Sequence, residues 1–157
     1  QEGFNVQSLK SIDKSYYFDK IDQDYIFQKN NTDKNDISKG VSLLNNISKY
    51  DNAQAAVVSN GYILGIEATE GTDLLLKRVA AEKKKLNLIK REGILVKIAK
   101  INQSNLTDNP VIGPKTITNV IKANLNGIAI KKDNTIIFNK ELTLRMLEEN
   151  KINLYFV

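Results

Sequence analysis

Two apolar runs joined by Asn60-Gly61 constrain this chain more than any other feature. Ala55-Ala56-Val57-Val58 comes before Ser59-Asn60-Gly61, and Tyr62-Ile63-Leu64-Gly65-Ile66 comes after it. Asn and Gly both tolerate the positive φ of a type I′ turn, so the segment predicts a tight β-hairpin. One antiparallel pair is thereby fixed, and the rest of the chain must be arranged around it.

The flanking patterns alternate between helix and strand. Asp36 is expected to cap a helix in which Ile37, Val41, Leu44 and Ile47 recur at helical spacing. A helix over 72–88 and a strand over 94–98 follow the hairpin. Pro114 suits the first turn of a helix running to Ala123. A second hairpin is predicted from 127–130 and 135–138 around Asp133-Asn134, then a helix over 141–149 and a closing strand over 154–157. Strands alternating with helices, with two hairpins inserted, predict an α/β fold: a mixed sheet with flanking helices in a single compact domain. That domain is expected over 36–157. Residues 1–35 read as an irregular amino-terminal arm and polar linker, with Phe4-Asn5-Val6 a short strand and Asp19, Asp22 and Asp24 interleaved among aromatics. The opening at Gln1, with Met146 the one methionine, reads as part of a longer polypeptide whose preceding domain is missing.

Composition limits the chemistry. The chain has no His and no Cys, which removes imidazole bases, serine–histidine and cysteine–histidine pairs, thiolate metal sites and disulfides. Carboxylates, amines, hydroxyls, backbone and a hard metal ion remain. No apolar run approaches the ~20 residues that span a bilayer, so the chain reads as soluble. Its net charge is +5, and residues 77–100 carry nine Lys or Arg against Glu82 and Glu92. A solvated helix face, a phosphate- or membrane-facing surface and a nucleic-acid surface all fit that charge. No aromatic lies in the stretch, which argues against bases stacking there.

Glu67-Ala68-Thr69-Glu70-Gly71-Thr72-Asp73 places three carboxylates at three-residue intervals where strand gives way to helix. In a regular strand Glu67 shares a face with Ile63 and Gly65, with Leu64 and Ile66 opposite. With Thr69 or Thr72 as cap, Glu70 and Asp73 stack in or just before the first helical turn, and Gly71 admits close approach of backbone to a ligand. One reading is electrostatic: acids in a first turn complement the helix dipole, worth about 0.3–1 kcal/mol. The other is a magnesium-type site in which one or two carboxylates hold a hydrated ion and phosphates supply further oxygens. Lys97 and Lys100 would then neutralise phosphate charge. Asp108, in Thr107-Asp108-Asn109-Pro110, reads either as an Asx turn or as part of a ligand loop at a strand's carboxyl end.

Four ordered motifs carry a family resemblance. Gln54-Ala55-Ala56-Val57-Val58, residues 66–73, Gly93-Ile94-Leu95-Val96-Lys97-Ile98-Ala99-Lys100 and Asp108-Asn109-Pro110-Val111-Ile112-Gly113-Pro114-Lys115-Thr116 together closely resemble the carboxyl-terminal domain of the LpxI-type UDP-2,3-diacylglucosamine pyrophosphatases. The resemblance covers about residues 36–157. Thr69 and Asn109 stand where apolar residues are more usual, and residues 16–35 match poorly.

The resemblance implies hydrolysis of the diphosphate of UDP-2,3-diacylglucosamine to UMP and 2,3-diacylglucosamine 1-phosphate, a step in bacterial lipid A synthesis. It implies Mg2+ (or Mn2+) and a homodimer in the full-length protein. It also implies a location in the cytoplasm, peripheral to the inner membrane, with Lys83 to Arg91 facing anionic lipid. Asp73 and Asp108 become the leading catalytic carboxylates, joined in metal binding by Glu67 and Glu70. Gly71, Thr72, Lys97, Lys100, Gly113, Lys115 and Thr116 become the phosphate-binding set. Two rivals stand beside it: a non-catalytic substrate-binding or dimerisation module, and a basic RNA-binding domain. No specific nucleic acid is expected.

Overall fold

A computed structural model describes residues 3, 7–18, 31–100 and 109–157. The Asn-Gly hairpin forms as expected: β1 (Ala55–Ser59) pairs antiparallel with β2 (Tyr62–Ile66). The turn between them holds Asn60 at φ 49° and Gly61 at φ 77°, the left-handed pair that a type I′ turn needs. β1 also pairs antiparallel with β3 (Ile94–Lys97), which continues in parallel register to β5 (Gly127–Ile130) and β7 (Asn153–Phe156). The resulting mixed sheet has the order β2-β1-β3-β5-β7.

Parallel strands need crossovers, and helices supply them. α3 (Gly71–Lys85) links β2 to β3, α4 (Pro114–Lys122) leads into β5, and α5 (Lys140–Glu149) leads into β7. The side chains alternate accordingly. Ala55, Val57, Leu95, Ile128, Ile130 and Leu154 face a core with Leu75, Leu76 and Val79 of α3, Ile117 and Val120 of α4, and Leu147 of α5. Ala56, Ile94, Val96, Ala129 and Tyr155 face the other way, onto Ile37 and Leu44 of α2 (Asn31–Ile47). The α/β architecture with a mixed sheet is thus as expected, with α2 on one face and α3, α4 and α5 on the other.

The second hairpin does not form. β6 (Ile136–Ile137) pairs parallel with β4 (Val111–Ile112) in a separate two-stranded sheet. The reason is that β5 has no free edge, since β3 and β7 take both. All four of its residues are buried, and an uninterrupted apolar run such as Gly127-Ile128-Ala129-Ile130 is the signature of a central parallel strand.

Asp36 is also not a helix cap. α2 is already helical from Asn31, inside the stretch read as a linker. Asp36 is buried and accepts hydrogen bonds from the Asn60 and Gly61 amides at 2.9 and 2.7 Å, so it caps the hairpin turn instead. In the amino-terminal arm, a short helix α1 (Leu9–Ile12) is followed by buried Tyr17 and Phe18, and Phe18 packs edge-on against Phe156 at 4.7 Å. Phe4-Asn5-Val6 and Asp19, Asp22 and Asp24 lie outside the described residues. No helix among the described residues is long and apolar enough to cross a membrane.

α2 seats on the sheet through Gly40. A methyl group there would lie 2.5 Å from Val96 Cγ2 and 3.4 Å from Val58 Cγ2, both on buried, stiff side chains. Gly40→Ala gains about 1 kcal/mol of helix propensity but overpacks the face, at about 1–3 kcal/mol or more. We expect a lower urea midpoint for Gly40→Ala; an unchanged or higher one would show that α2 does not pack here.

Beside it Asp33 is buried, accepting from Asn126 Nδ2 at 2.5 Å and Tyr155 Oη at 2.6 Å. Burial pushes its pKa above the ordinary value, and the hydrogen bonds from Tyr155 and Asn126 offset this only in part. The folded state therefore binds a proton more readily than the unfolded chain, so this group's contribution to stability grows as pH falls from neutral towards the ordinary aspartate range. Asp33→Asn keeps one acceptor oxygen and removes the titration. Thermal unfolding across that range should show the unsubstituted chain gaining on the variant as pH falls; parallel curves would contradict the assignment.

Candidate active site at the carboxyl edge of the sheet

The topology brings several chain ends to one edge. β2, β3, β5 and β7 all finish there, while antiparallel β1 begins there, with Ala55 opposite Lys97. α3 and α4 each start at that edge and run back across the sheet. Ligands in open α/β sheets lie at this edge, and Glu67, Glu70, Thr72, Asp73, Lys97 and Lys115 collect at it.

Glu67 follows β2, and its amide donates to Ala55 O at 2.9 Å. A bulge opposite Val57 and Val58 breaks the regular alternation of β2. Ile63 consequently faces the groove beside Asn35 and Ser38 of α2, whereas Gly65 faces Leu75 and Val79 of α3. Leu64 and Ile66 are split in the same way between the two cores. The expectation that Glu67 shares a face with both Ile63 and Gly65 is therefore half right: it turns with Gly65, towards α3. There its Oε1 accepts the Thr72 hydroxyl at 2.6 Å and its Oε2 accepts the Gln54 amide at 2.9 Å.

Neither Thr69 nor Thr72 caps α3. Glu70 occupies the capping position, but its carboxylate makes no cap hydrogen bond to the helix. It binds Arg78 at 2.8 Å and the Ala68 amide at 3.1 Å. The Arg78 hydrogen bond is the main cause holding its pKa below the ordinary value. Gly71 opens the helix at φ 76°, a left-handed conformation that a side chain would strain, and among the described residues nothing beyond its own local backbone lies within 4 Å of where a Cβ would stand.

Asp73, in the first turn of α3, points at α4. Lys115 Nζ meets its Oδ2 at 2.6 Å and Asn119 Nδ2 donates to its Oδ1 at 2.9 Å. Burial alone would raise its pKa. The hydrogen bonds from Lys115 and Asn119, with the charges of Lys115 and Lys97, outweigh that and hold the carboxyl below the ordinary range. Asp73 is thus a standing anion. Asn119 is a contact that the sequence reading missed, although its i, i+4 spacing from Lys115 puts both on one face of the Pro114-led helix.

Lys97 ends β3 on the same face as Leu95. Its ammonium donates to Thr72 Oγ1 at 2.8 Å. Burial depresses its pKa, and the charges of Glu67 and Asp73 partly restore it. Lys100 is placed differently: it binds the Asp51 carboxylate at 2.8 Å and the Asp51 carbonyl at 3.0 Å, beside the end of α2. Gly113 precedes α4 and donates its amide to Thr116 Oγ1 at 3.3 Å. A Cβ on Gly113 would lie 3.2 Å from Phe138 Cβ. Asp108 lies outside the described residues.

The acidic motif therefore does not converge. Glu67, Glu70 and Asp73 turn to three different sets of donors, and among the described residues no group of three or more acidic side chains is placed to hold one metal ion. What does converge is an ionised Asp73, a half-buried Lys97, the Thr72 hydroxyl and Lys115. That arrangement suits a polyanionic ligand whose charge is met by ammonium groups and whose attacking water meets a carboxylate.

The LpxI C-terminal domain family matches residues 25–155. The UDP-2,3-diacylglucosamine pyrophosphatase LpxI of Caulobacter vibrioides is 34% identical over 116 residues, which is 73% of this chain. The chain spans 41% of that relative's length. The sheet edge that gathers Glu67, Thr72, Asp73, Lys97 and Lys115 is accordingly that of a chain belonging to the LpxI C-terminal domain family.

Proposed function

We propose that this chain is the carboxyl-terminal part of a hydrolase that splits the diphosphate of UDP-2,3-diacylglucosamine, giving UMP and 2,3-diacylglucosamine 1-phosphate in lipid A synthesis. The observation that carries the proposal is the pairing of an ionised Asp73 with Lys97 and Lys115 at the carboxyl edge, in a chain of this family. Lys97 and Lys115 neutralise charge on the diphosphate oxygens, with Lys100 at the margin of the site. Gly71, Thr72, Gly113 and Thr116 shape the backbone against them. Asp73 and Asp108 are the leading carboxylates: between them they orient the attacking water and accept its proton.

Magnesium or manganese fits this site through few protein ligands. Such an ion commonly takes one or two carboxylates and draws its other oxygens from phosphates and water. Asp73 Oδ2 would be available on displacement of Lys115, whose side chain is 79% exposed and whose ion pair is correspondingly weak. Asp108 would be the second ligand. Both oxygens of Glu67 and of Glu70 are engaged elsewhere. When bound, the ion supplies Lewis-acid stabilisation of the diphosphate charge.

We place the reaction in the cytoplasm at the inner membrane surface, in a full-length homodimer that also contains an amino-terminal domain. The basic stretch expected to face lipid lies at the opposite, amino edge of the sheet. Lys83 donates to Glu92 O and Asn124 O, and Arg91 to Leu125 O, Asn150 O and Lys151 O, so both serve the fold. Lys84, Lys85 and Lys90 remain exposed around exposed Leu86, Leu88 and Ile89, a combination suited to anionic lipid. Co-sedimentation with phosphatidylglycerol vesicles should fall in a Lys84→Gln/Lys85→Gln/Lys90→Gln variant. Equal retention by the variant removes this surface from the proposal.

The catalytic assignment has its own measurement. Asp73→Ala and Asp108→Ala, each in the full-length protein with saturating magnesium, should lower UMP release by about 10²–10⁴-fold, the range for loss of a positioned acid–base group. Near-normal turnover in both variants would overturn it.

A further inference from the structure

We propose that Glu67 is a positioning residue: through the Thr72 hydroxyl it aims the Lys97 ammonium at a phosphoryl oxygen of the ligand. The inference rests on the diphosphate reading above and refines it, because it removes Glu67 from the metal-binding set and gives it a different task.

The proton directions admit one solution. An ammonium only donates, so at 2.8 Å from Lys97 Nζ the Thr72 oxygen must accept. The hydroxyl's single proton is then committed to its other near neighbour, Glu67 Oε1, at 2.6 Å. Glu67 Oε2 is held in turn by the Gln54 amide at 2.9 Å. Gln54 is itself locked to the sheet, since its carbonyl accepts from the Ile98 amide at 3.0 Å. Backbone thus fixes the carboxylate, the carboxylate fixes the hydroxyl, and the hydroxyl fixes the ammonium.

Two of the three Lys97 N–H bonds have no acceptor among the described residues. They emerge where Asp73 begins the α3 side of the site, and a phosphoryl group offers the missing oxygens. A cation on Glu67 would compete with the Thr72 and Gln54 donors for the lone pairs of the carboxylate. The two roles leave different signatures, a shifted Lys97 titration against a shifted magnesium requirement, so they are separable by experiment.

The first measurement needs no turnover. In the chain labelled with ¹³C at lysine Cε, the Lys97 resonance, identified by its absence in Lys97→Arg, should titrate with a lower midpoint in Glu67→Gln, because the Glu67 charge favours the ammonium. An unchanged midpoint overturns the proposal whether or not the protein cleaves a nucleotide sugar. The second is kinetic, in the full-length protein with UDP-2,3-diacylglucosamine. Thr72→Val should lose about tenfold or more in kcat/KM through misplacement of the ammonium, and Thr72→Ser, which keeps the hydroxyl, should recover most of it. Equal losses in both variants overturn the relay. So does a Glu67→Gln enzyme whose only defect is a raised magnesium requirement. If the unsubstituted full-length protein releases no UMP, the diphosphate reading falls and the titration still decides the relay.

Discussion

Burial of the sheet on both faces is the constraint on which the rest of the structure depends. β3 and β5 have apolar side chains on each side and neighbours on each edge. Such strands run parallel only if each return passes over a face, and α3, α4 and α5 provide those returns. Every return begins at the edge where the strands end. The site is a consequence of this connectivity: Lys97 comes from a strand end, Thr72 and Asp73 from the start of one return, and Lys115 and Asn119 from the start of another. Residues far apart in sequence meet because helix starts cannot lie anywhere else.

What the sequence disclosed follows from the range over which each signal acts. The Asn60-Gly61 turn is legible because positive φ at two successive residues is a local demand that few side chains meet. The helix over α4 is legible because Pro114 marks its first turn. The pairing of β6 with β4 is not, since it depends on β5 having both edges occupied, and that is decided by β3 and β7. The bulge in β2 escapes detection for a similar reason, since it appears only in the register against β1. Asp36 resembles a helix cap in isolation because the residues that it serves, Asn60 and Gly61, lie at the far end of a hairpin.

The candidate site was legible as residue types and only partly as geometry. Asp73, Thr72, Lys97 and Lys115 come together. Glu70 is drawn off by Arg78, and Lys100 is bound to Asp51. Spacing of three residues suggested that Glu70 and Asp73 would stack, but Glu70 turns to Arg78 and Asp73 to Lys115, so the interval measures sequence and not direction. The partners that fix the site, Gln54 and Asn119, are neutral, and nothing in a charge pattern marks a neutral partner. Basic residues mislead in the opposite sense. Lys83 is buried against two carbonyl groups, so part of the chain's positive charge serves internal hydrogen bonding and adds little to any outward field.

Two buried or half-buried aspartates show how the fold sets the charge state of the same side chain in opposite directions. Asp33, at the amino edge, has neutral partners in Asn126 and Tyr155, and burial raises its pKa. Asp73, at the carboxyl edge, has Lys115 and Lys97 within electrostatic reach, and its pKa falls despite burial. The side chains are chemically identical, and only their surroundings set the direction. Asp33, its pKa raised by burial and its oxygen held by amide and phenol donors, serves to join α2 to the sheet. An Asp kept ionised by ammonium groups, one of which is exposed and displaceable, offers a charge that is already balanced and can be handed over. On the proposed reading, exchange of an ammonium partner for a ligand's own cation or water would let a carboxylate in a chain without histidine become reactive without a change in its protonation.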